Sequence, residues 1–117
     1  MSLRRLRIAI PTKGKSGLED VVSDVFGRAN TFTIVEVEKG VIKNVKTLKN
    51  PAVSYKHGAG PIVVKMLIDA DVNMVLAAEL GPGASALLEQ HNITTTTAKP
   101  GTDVENSVTE ALSKIEK

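Results

Sequence analysis

One short run constrains this chain more than any other. Met74-Val75-Leu76-Ala77-Ala78 contains no polar side chain, and stretches with helical periodicity precede and follow it. An uninterrupted apolar run of this length, set between helices, reads as a strand buried on both faces, which is how parallel strands read. The strand from Asn73 to Ala78 therefore needs a sheet on either side of it and helices above and below, and the rest of the chain must supply both.

The helix before it runs from about Pro61 to Ala70. Proline suits the first turn of a helix, and Ile62, Val63, Met66, Leu67 and Ala70 form one apolar face. The helix after it runs from about Pro82 to His91, with Ala84, Leu87, Leu88 and His91 on one face and Asn92 suited to the left-handed residue that ends a helix. Ile93 to Ala98 is a β-branched strand, and Lys99-Pro100-Gly101 turns the chain. Thr102-Asp103-Val104-Glu105 has the form of a capping box, opening a last helix that buries Val104, Val108, Ala111, Leu112 and Ile115. Upstream, Leu6, Ile8 and Ile10 alternate in a strand from Arg5 to Pro11, followed by a loop from Thr12 to Gly17 and a short helical turn over Leu18–Val25. Two further strands, Thr31 to Glu38 and Val41 to Leu48, are joined by a hairpin turn in which Gly40 supplies a positive φ. Asn50-Pro51 breaks the pattern, and a longer loop runs to Gly60.

The order is βββαβαβα. Strands joined by a tight hairpin are antiparallel, whereas β-α-β units are parallel with right-handed crossovers. The expected architecture is a three-layer α/β fold of the ribonuclease H-like kind. It has a five-stranded mixed sheet in the order 3-2-1-4-5 with helices on both faces. Residues 1–117 make one domain with a core of about 6–116. Aromatic residues are only 3% of the chain, so the core is aliphatic. With no cysteine, neither disulfides nor thiolate metal sites are available. The basic N-terminus, with Arg4, Arg5 and Arg7, lacks the apolar stretch of a signal peptide, and no segment approaches the length of a membrane span. The expectation is a cytoplasmic protein with no membrane partner. The net charge of +2 is scattered, and without stacking aromatics or a basic helix no nucleic-acid partner is expected.

Open α/β sheets bind ligands beyond the carboxyl ends of their strands. In the expected topology five loops gather at that edge: Thr12–Gly17, Gly27–Asn30, Pro51–Gly60, Glu79–Gly83 and Lys99–Thr102. The turn Leu80-Gly81-Pro82-Gly83-Ala84 opens a helix, so it either presents backbone N–H groups to an anion or merely serves the turn. It is not a P-loop, because the Lys-Ser/Thr pair is missing, and no nucleotide is expected. His57, before Gly58-Ala59-Gly60, either ligates a metal or bonds its own loop. Arg28 pairs either with an anion or with Asp24. Thr12 and Lys13 join the candidate set from the first loop, and His91, near a helix end, reads as structural. No nucleophile elbow is present, and the first strand lacks the acid that ribonuclease H-like nucleases direct at their metals, so no enzyme activity is expected.

Ser23-Asp24-Val25-Phe26-Gly27-Arg28-Ala29, then His57-Gly58-Ala59, then Leu80-Gly81-Pro82-Gly83-Ala84 together resemble the dinitrogenase iron–molybdenum cofactor biosynthesis family, which includes NifX-like proteins and the C-terminal part of NifB. The resemblance covers about residues 6 to 98. It implies transient, non-catalytic binding or carriage of an iron–molybdenum or iron–sulfur cluster or its precursor, with cluster donor and acceptor proteins as partners. It singles out His57 as the metal ligand and Arg28 and Gly81 as site residues. Gly58, Ala59, Gly60 and Gly83 complete the candidate cofactor-binding set. The alternative within the same fold is a domain that binds a small anion, or a regulatory interaction domain without a cluster. Glu79 departs from the family pattern, which favours a small residue there, and its carboxylate would repel an anionic cluster unless a neighbouring cation balances it.

Overall fold

The computed structural model describes residues 5–115; the basic residues up to Arg4, and Glu116 at the end of the expected core, lie outside the described residues. Five strands form one sheet in the order β3-β2-β1-β4-β5. They are β1 (Arg5–Thr12), β2 (Thr31–Glu38), β3 (Val41–Lys49), β4 (Met74–Ala77) and β5 (Thr94–Thr97). β2 runs antiparallel to both β1 and β3, whereas β4 is parallel to β1 and β5 is parallel to β4. Three helices follow: α1 (Ala59–Asp69), α2 (Pro82–Gln90) and α3 (Val104–Ile115). The mixed sheet, its order and its α/β class are those expected from the sequence.

Two apolar layers explain why the three central strands, β1, β2 and β4, are almost wholly buried, while the edge strands β3 and β5 are largely exposed. On one face Ala9, Phe32, Ile34 and Val75 pack with Val63, Val64 and Leu67 of α1 and Leu88 of α2. On the other, Leu6, Ile8, Ile10, Val35, Val37, Met74 and Leu76 pack with Val104, Val108, Ala111 and Leu112 of α3. The alternation in β1 and β2 thus serves two cores at once, and the central parallel strand β4 needs no polar face, whereas β5 at the sheet edge is four threonines of which three are exposed. Each of the large aliphatic side chains stabilises by about 1.5–3 kcal/mol on burial.

Local chemistry sets the connections. Lys39 (φ 54°) and Gly40 (φ 80°) both take left-handed backbone, the geometry of a two-residue hairpin whose twist matches its strands. Asn92, at φ 60°, ends the α2 segment as expected. Three local expectations need correction. The helical turn over Leu18–Val25 shrinks to a 3₁₀ turn at Gly17–Glu19, because Val21 and Val22 are extended and bridge to Asp103 and Thr12. Val22 donates to Thr102 O (2.9 Å) and accepts from Gly101 N (2.9 Å), so the backbone groups a helix would need are already used. The cap of α3 is Asp103, not Thr102: its carboxylate accepts from Asn106 N at 3.1 Å. His91 is exposed instead of completing the buried face of α2.

Candidate functional site

With these strand directions, the ends of β1, β3, β4 and β5 and the start of β2 share one edge of the sheet. A cleft of about 430 Å³ opens there. Its lining comes from three segments far apart in the chain: Asp24–Gly27, then Gly58, Gly60 and Pro61 at the start of α1, then Glu79, Gly81, Gly83, Ala84 and Leu87 around the start of α2.

The first wall is held from below. Phe26 is buried and meets the ring of Phe32 edge to face, with centroids 5.3 Å apart at 81°. Asn50, 4% exposed, ties this wall to the loop after β3. Its side-chain amide donates to Gly27 O (2.9 Å) and Ala29 O (2.8 Å), and its carbonyl oxygen accepts from Ala52 N (2.8 Å). α1 comes close to Gly27: a Cβ there would stand 3.3 Å from both Ala59 Cβ and Gly60 N, so a side chain at this position would push the start of α1 back by a few tenths of an ångström.

The other two walls are helix starts. Gly58 holds left-handed backbone (φ 75°) ahead of α1, and Gly81 holds extended backbone ahead of α2; neither helix has a side-chain cap. The first N–H groups of a helix have no partner within it. Pro61 and Pro82 lack an N–H, which leaves Ala59 and Gly60 in α1 and Gly83 and Ala84 in α2 with donors that no cap occupies. The two starts adjoin, for a Cβ on Gly60 would lie 3.7 Å from Ala84 Cβ. Two positive dipole ends therefore meet at one glycine-lined cleft, an arrangement that favours an anion.

The residues singled out from sequence take three different positions. Gly58, Gly60, Gly81 and Gly83 line the cleft, and Ala59 is buried behind it. His57 and Arg28 are exposed and each stands one residue from the lining. Among the described residues Arg28 forms no ion pair with Asp24 or any other acid. Thr12 and Lys13 belong to the framework of the neighbouring loop. Thr12 is fully buried, with its hydroxyl 2.7 Å from that of Thr31 and 3.0 Å from that of Thr33, while the Lys13 carbonyl accepts from Asn30 Nδ2 at 3.0 Å. That loop closes on Asp20, whose carboxylate accepts from the backbone N–H groups of Val21 (2.8 Å), Ser16 (2.9 Å) and Gly14 (3.2 Å). Burial raises the Asp20 pKa, but these bonds together outweigh it and hold the carboxyl below its usual range.

Sequence reasoning missed Asp24, Phe26 and Asn50 as parts of the site. Asn50 carried a signal, because an asparagine before proline at a strand end often bonds nearby backbone. The signal read only as a break. Two carboxylates, Asp24 and Glu79, are exposed on the cleft wall. Among the described residues no three His, Cys, Asp or Glu side chains group to hold a bare metal ion. No helix among them is long and apolar enough to cross a membrane.

Comparison with known proteins identifies the family and the fold. The family model for dinitrogenase iron–molybdenum cofactor proteins matches residues 4–114. An uncharacterized protein of Methanocaldococcus jannaschii is 30% identical over 93 residues, covering 80% of this chain and 75% of that one. The apo form of the orange protein of Desulfovibrio gigas superposes with a TM-score of 0.83 at 28% identity, over 92% of this chain and 88% of that one. A candidate NifB protein from Thermotoga superposes with a TM-score of 0.73 at 33% identity, over 93% and 88% of the two chains.

Proposed function

The chain belongs to the dinitrogenase iron–molybdenum cofactor family, and on that premise we propose that it is a non-catalytic carrier of an iron–molybdenum or iron–sulfur cluster or its precursor, held transiently in the glycine-lined cleft. The observation that carries this reading is the meeting of two uncapped helix starts on one cleft. A cluster is an anion that brings its own sulfides. Such a cargo needs backbone N–H donors and an exchangeable side-chain ligand more than it needs cysteines. Gly60, Gly83 and Ala84 supply the donors. His57 is the single side-chain ligand best placed to bind a metal of the cargo, and Arg28 balances the carboxylates of Asp24 and Glu79. A hold made of hydrogen bonds and one imidazole is weak enough to release, which a carrier requires.

A second reading has a specific observation behind it. Asp24 and Glu79 on the cleft wall oppose a highly charged anion, and this favours a small anion bound without a cluster.

One experiment separates these readings. Gly83 has no atom within 4 Å of a built Cβ and no positive φ, so Gly83→Leu fills the cleft mouth without strain. The protein is reconstituted anaerobically with a synthetic iron–sulfur cluster, and bound iron is counted alongside thermal unfolding. Gly83→Leu is expected to lose at least tenfold in retention with an unchanged unfolding midpoint, and His57→Ala to lose several-fold. Equal retention in all three proteins removes the cleft as the cargo site. No retention by the wild type, with an anion such as molybdate bound competently, selects the second reading.

A further inference from the structure

Four large apolar side chains are exposed among the described residues. Three of them, Val25 (45%), Val53 (41%) and Tyr55 (43%), stand on the two loops that flank the cleft. These loops do not lack inward anchors. Phe26, Ala29 and Ala52 from the same segments are buried in the core, so folding does not force their neighbours outward. Val25 also lines the cleft itself, and Val53 and Tyr55 stand on the loop that leads to Gly58 in its wall.

Charge is gathered at the same edge. Lys13, Lys15, Arg28, Lys56 and Lys99 are all exposed on the five edge loops, against the exposed carboxylates of Asp24 and Glu79 and the buried carboxylate of Asp20 that closes the first loop. The whole chain carries only +2, so the remaining surface contributes no net positive charge. An apolar rim interleaved with cations has a matching partner surface: apolar residues surrounded by carboxylates. A free small anion would use the cations but gains nothing from Val53 and Tyr55. Nucleic acid would need more stacking surface than one tyrosine supplies.

We propose that Val25, Val53 and Tyr55, set among Arg28, Lys56 and Lys13, form the docking surface for a protein partner that presents acidic residues around an apolar patch and covers the cleft while cargo passes. The partner class deepens the carrier reading and rests on it. Three apolar contacts with a cationic surround make a small, short-lived interface whose association is driven by charge.

The test needs no cargo. A random peptide library is selected on the intact protein, and the enriched peptides are titrated into wild type, the double variant Val53→Ser/Tyr55→Ser, and Lys56→Glu. The expected peptides combine Asp or Glu with Leu, Phe or Trp. Their affinity is expected to fall about tenfold or more in the double variant and several-fold in Lys56→Glu, and to weaken as salt rises. Cluster retention by the double variant, measured separately, should match the wild type. Basic or uncharged peptides, or peptides that bind the double variant as well as the wild type, overturn the proposal. So does sedimentation with phosphatidylserine vesicles that is lost in the same double variant, since the surface would then serve a membrane. If wild-type protein selects the acidic apolar peptides but retains no cluster, the docking surface stands and the carrier reading fails.

Discussion

Asn50 does more for the site than any residue that touches the cleft. Two hydrogen bonds from one buried amide hold the loop after β3 against the loop before β2, and a third, from Ala52 N, fixes the amide within its own loop. Asn50→Ala leaves Gly27 O, Ala29 O and Ala52 N without that partner, and each unsatisfied buried group costs about 1–3 kcal/mol before any relaxation or rehydration. The expected loss is about 3 kcal/mol, read as a shift in the urea midpoint at constant slope. Asn50→Asp restores only the acceptor and should recover less than half of it. Asp20 is the corresponding residue of the neighbouring loop. Its carboxyl titrates lower in the folded chain than in the unfolded one, so its stabilising effect is complete above the ordinary aspartate pKa of about 3.9 and is lost as pH falls through and below that value. Between pH 5 and pH 2.5 the wild type should lose more stability than Asp20→Asn, which is already weakened at pH 5. Parallel losses in the two proteins would show that Asp20 does not drive the acid response. Neither residue was legible as a site component from the chain alone. Asn50 acts by bonding distant backbone, and Asp20 by closing its own loop on backbone up to six residues away; spacing in the sequence does not reveal which carbonyl or N–H will lie opposite.

At the scale of elements the sequence is far more informative. The periodicities of β1, β2, α1, α2 and α3 each point to one element, and their observed bounds fall within about two residues of the expected ones. The errors lie where two local signals compete. Leu18–Val25 has enough apolar residues for a helical turn, but the adjacent β-branched pair Val21-Val22 prefers extended backbone and finds Thr12 and Asp103 to bridge. Thr102 and Asp103 are both good helix caps, and only the register of α3 against Val22 decides between them. Asp103→Ala should therefore cost about 1 kcal/mol and Thr102→Ala clearly less, compared by thermal unfolding. Equal costs would mean that Thr102 shares the cap. His91 is the opposite case. Helical spacing put it on the buried face of α2, but it falls at the frayed end where the chain turns away, and it is exposed.

For the whole molecule, topology locates the site and charge sets how it is approached. Strand order and direction were legible because a hairpin and two β-α-β units leave few alternatives. They brought the glycine-rich turns together before any contact was known. What the topology could not give was the cleft's full lining, since nothing in strand order says that Asp24 and Glu79 will share one wall. The exposed cations at this edge should steer an anionic cargo. Its association rate is expected to fall several-fold between 50 mM and 500 mM salt, while Gly83→Leu alters retention at every salt concentration. A salt-independent rate would mean that the edge charges do not guide entry.

The tight approach of Gly27 to Ala59 and Gly60, and of Gly60 to Ala84, also says something about when the protein becomes competent. These contacts join segments well separated in the chain, and the second cannot form until β4 and the start of α2 have been made. Contacts of such long sequence separation are among the last to be consolidated as a chain folds. A growing chain that has completed only its first hairpin has an ordered sheet fragment but no cleft. On the proposed carrier function, loading would then report on completed folding: a half-made molecule has no cleft in which to bind a reactive cargo.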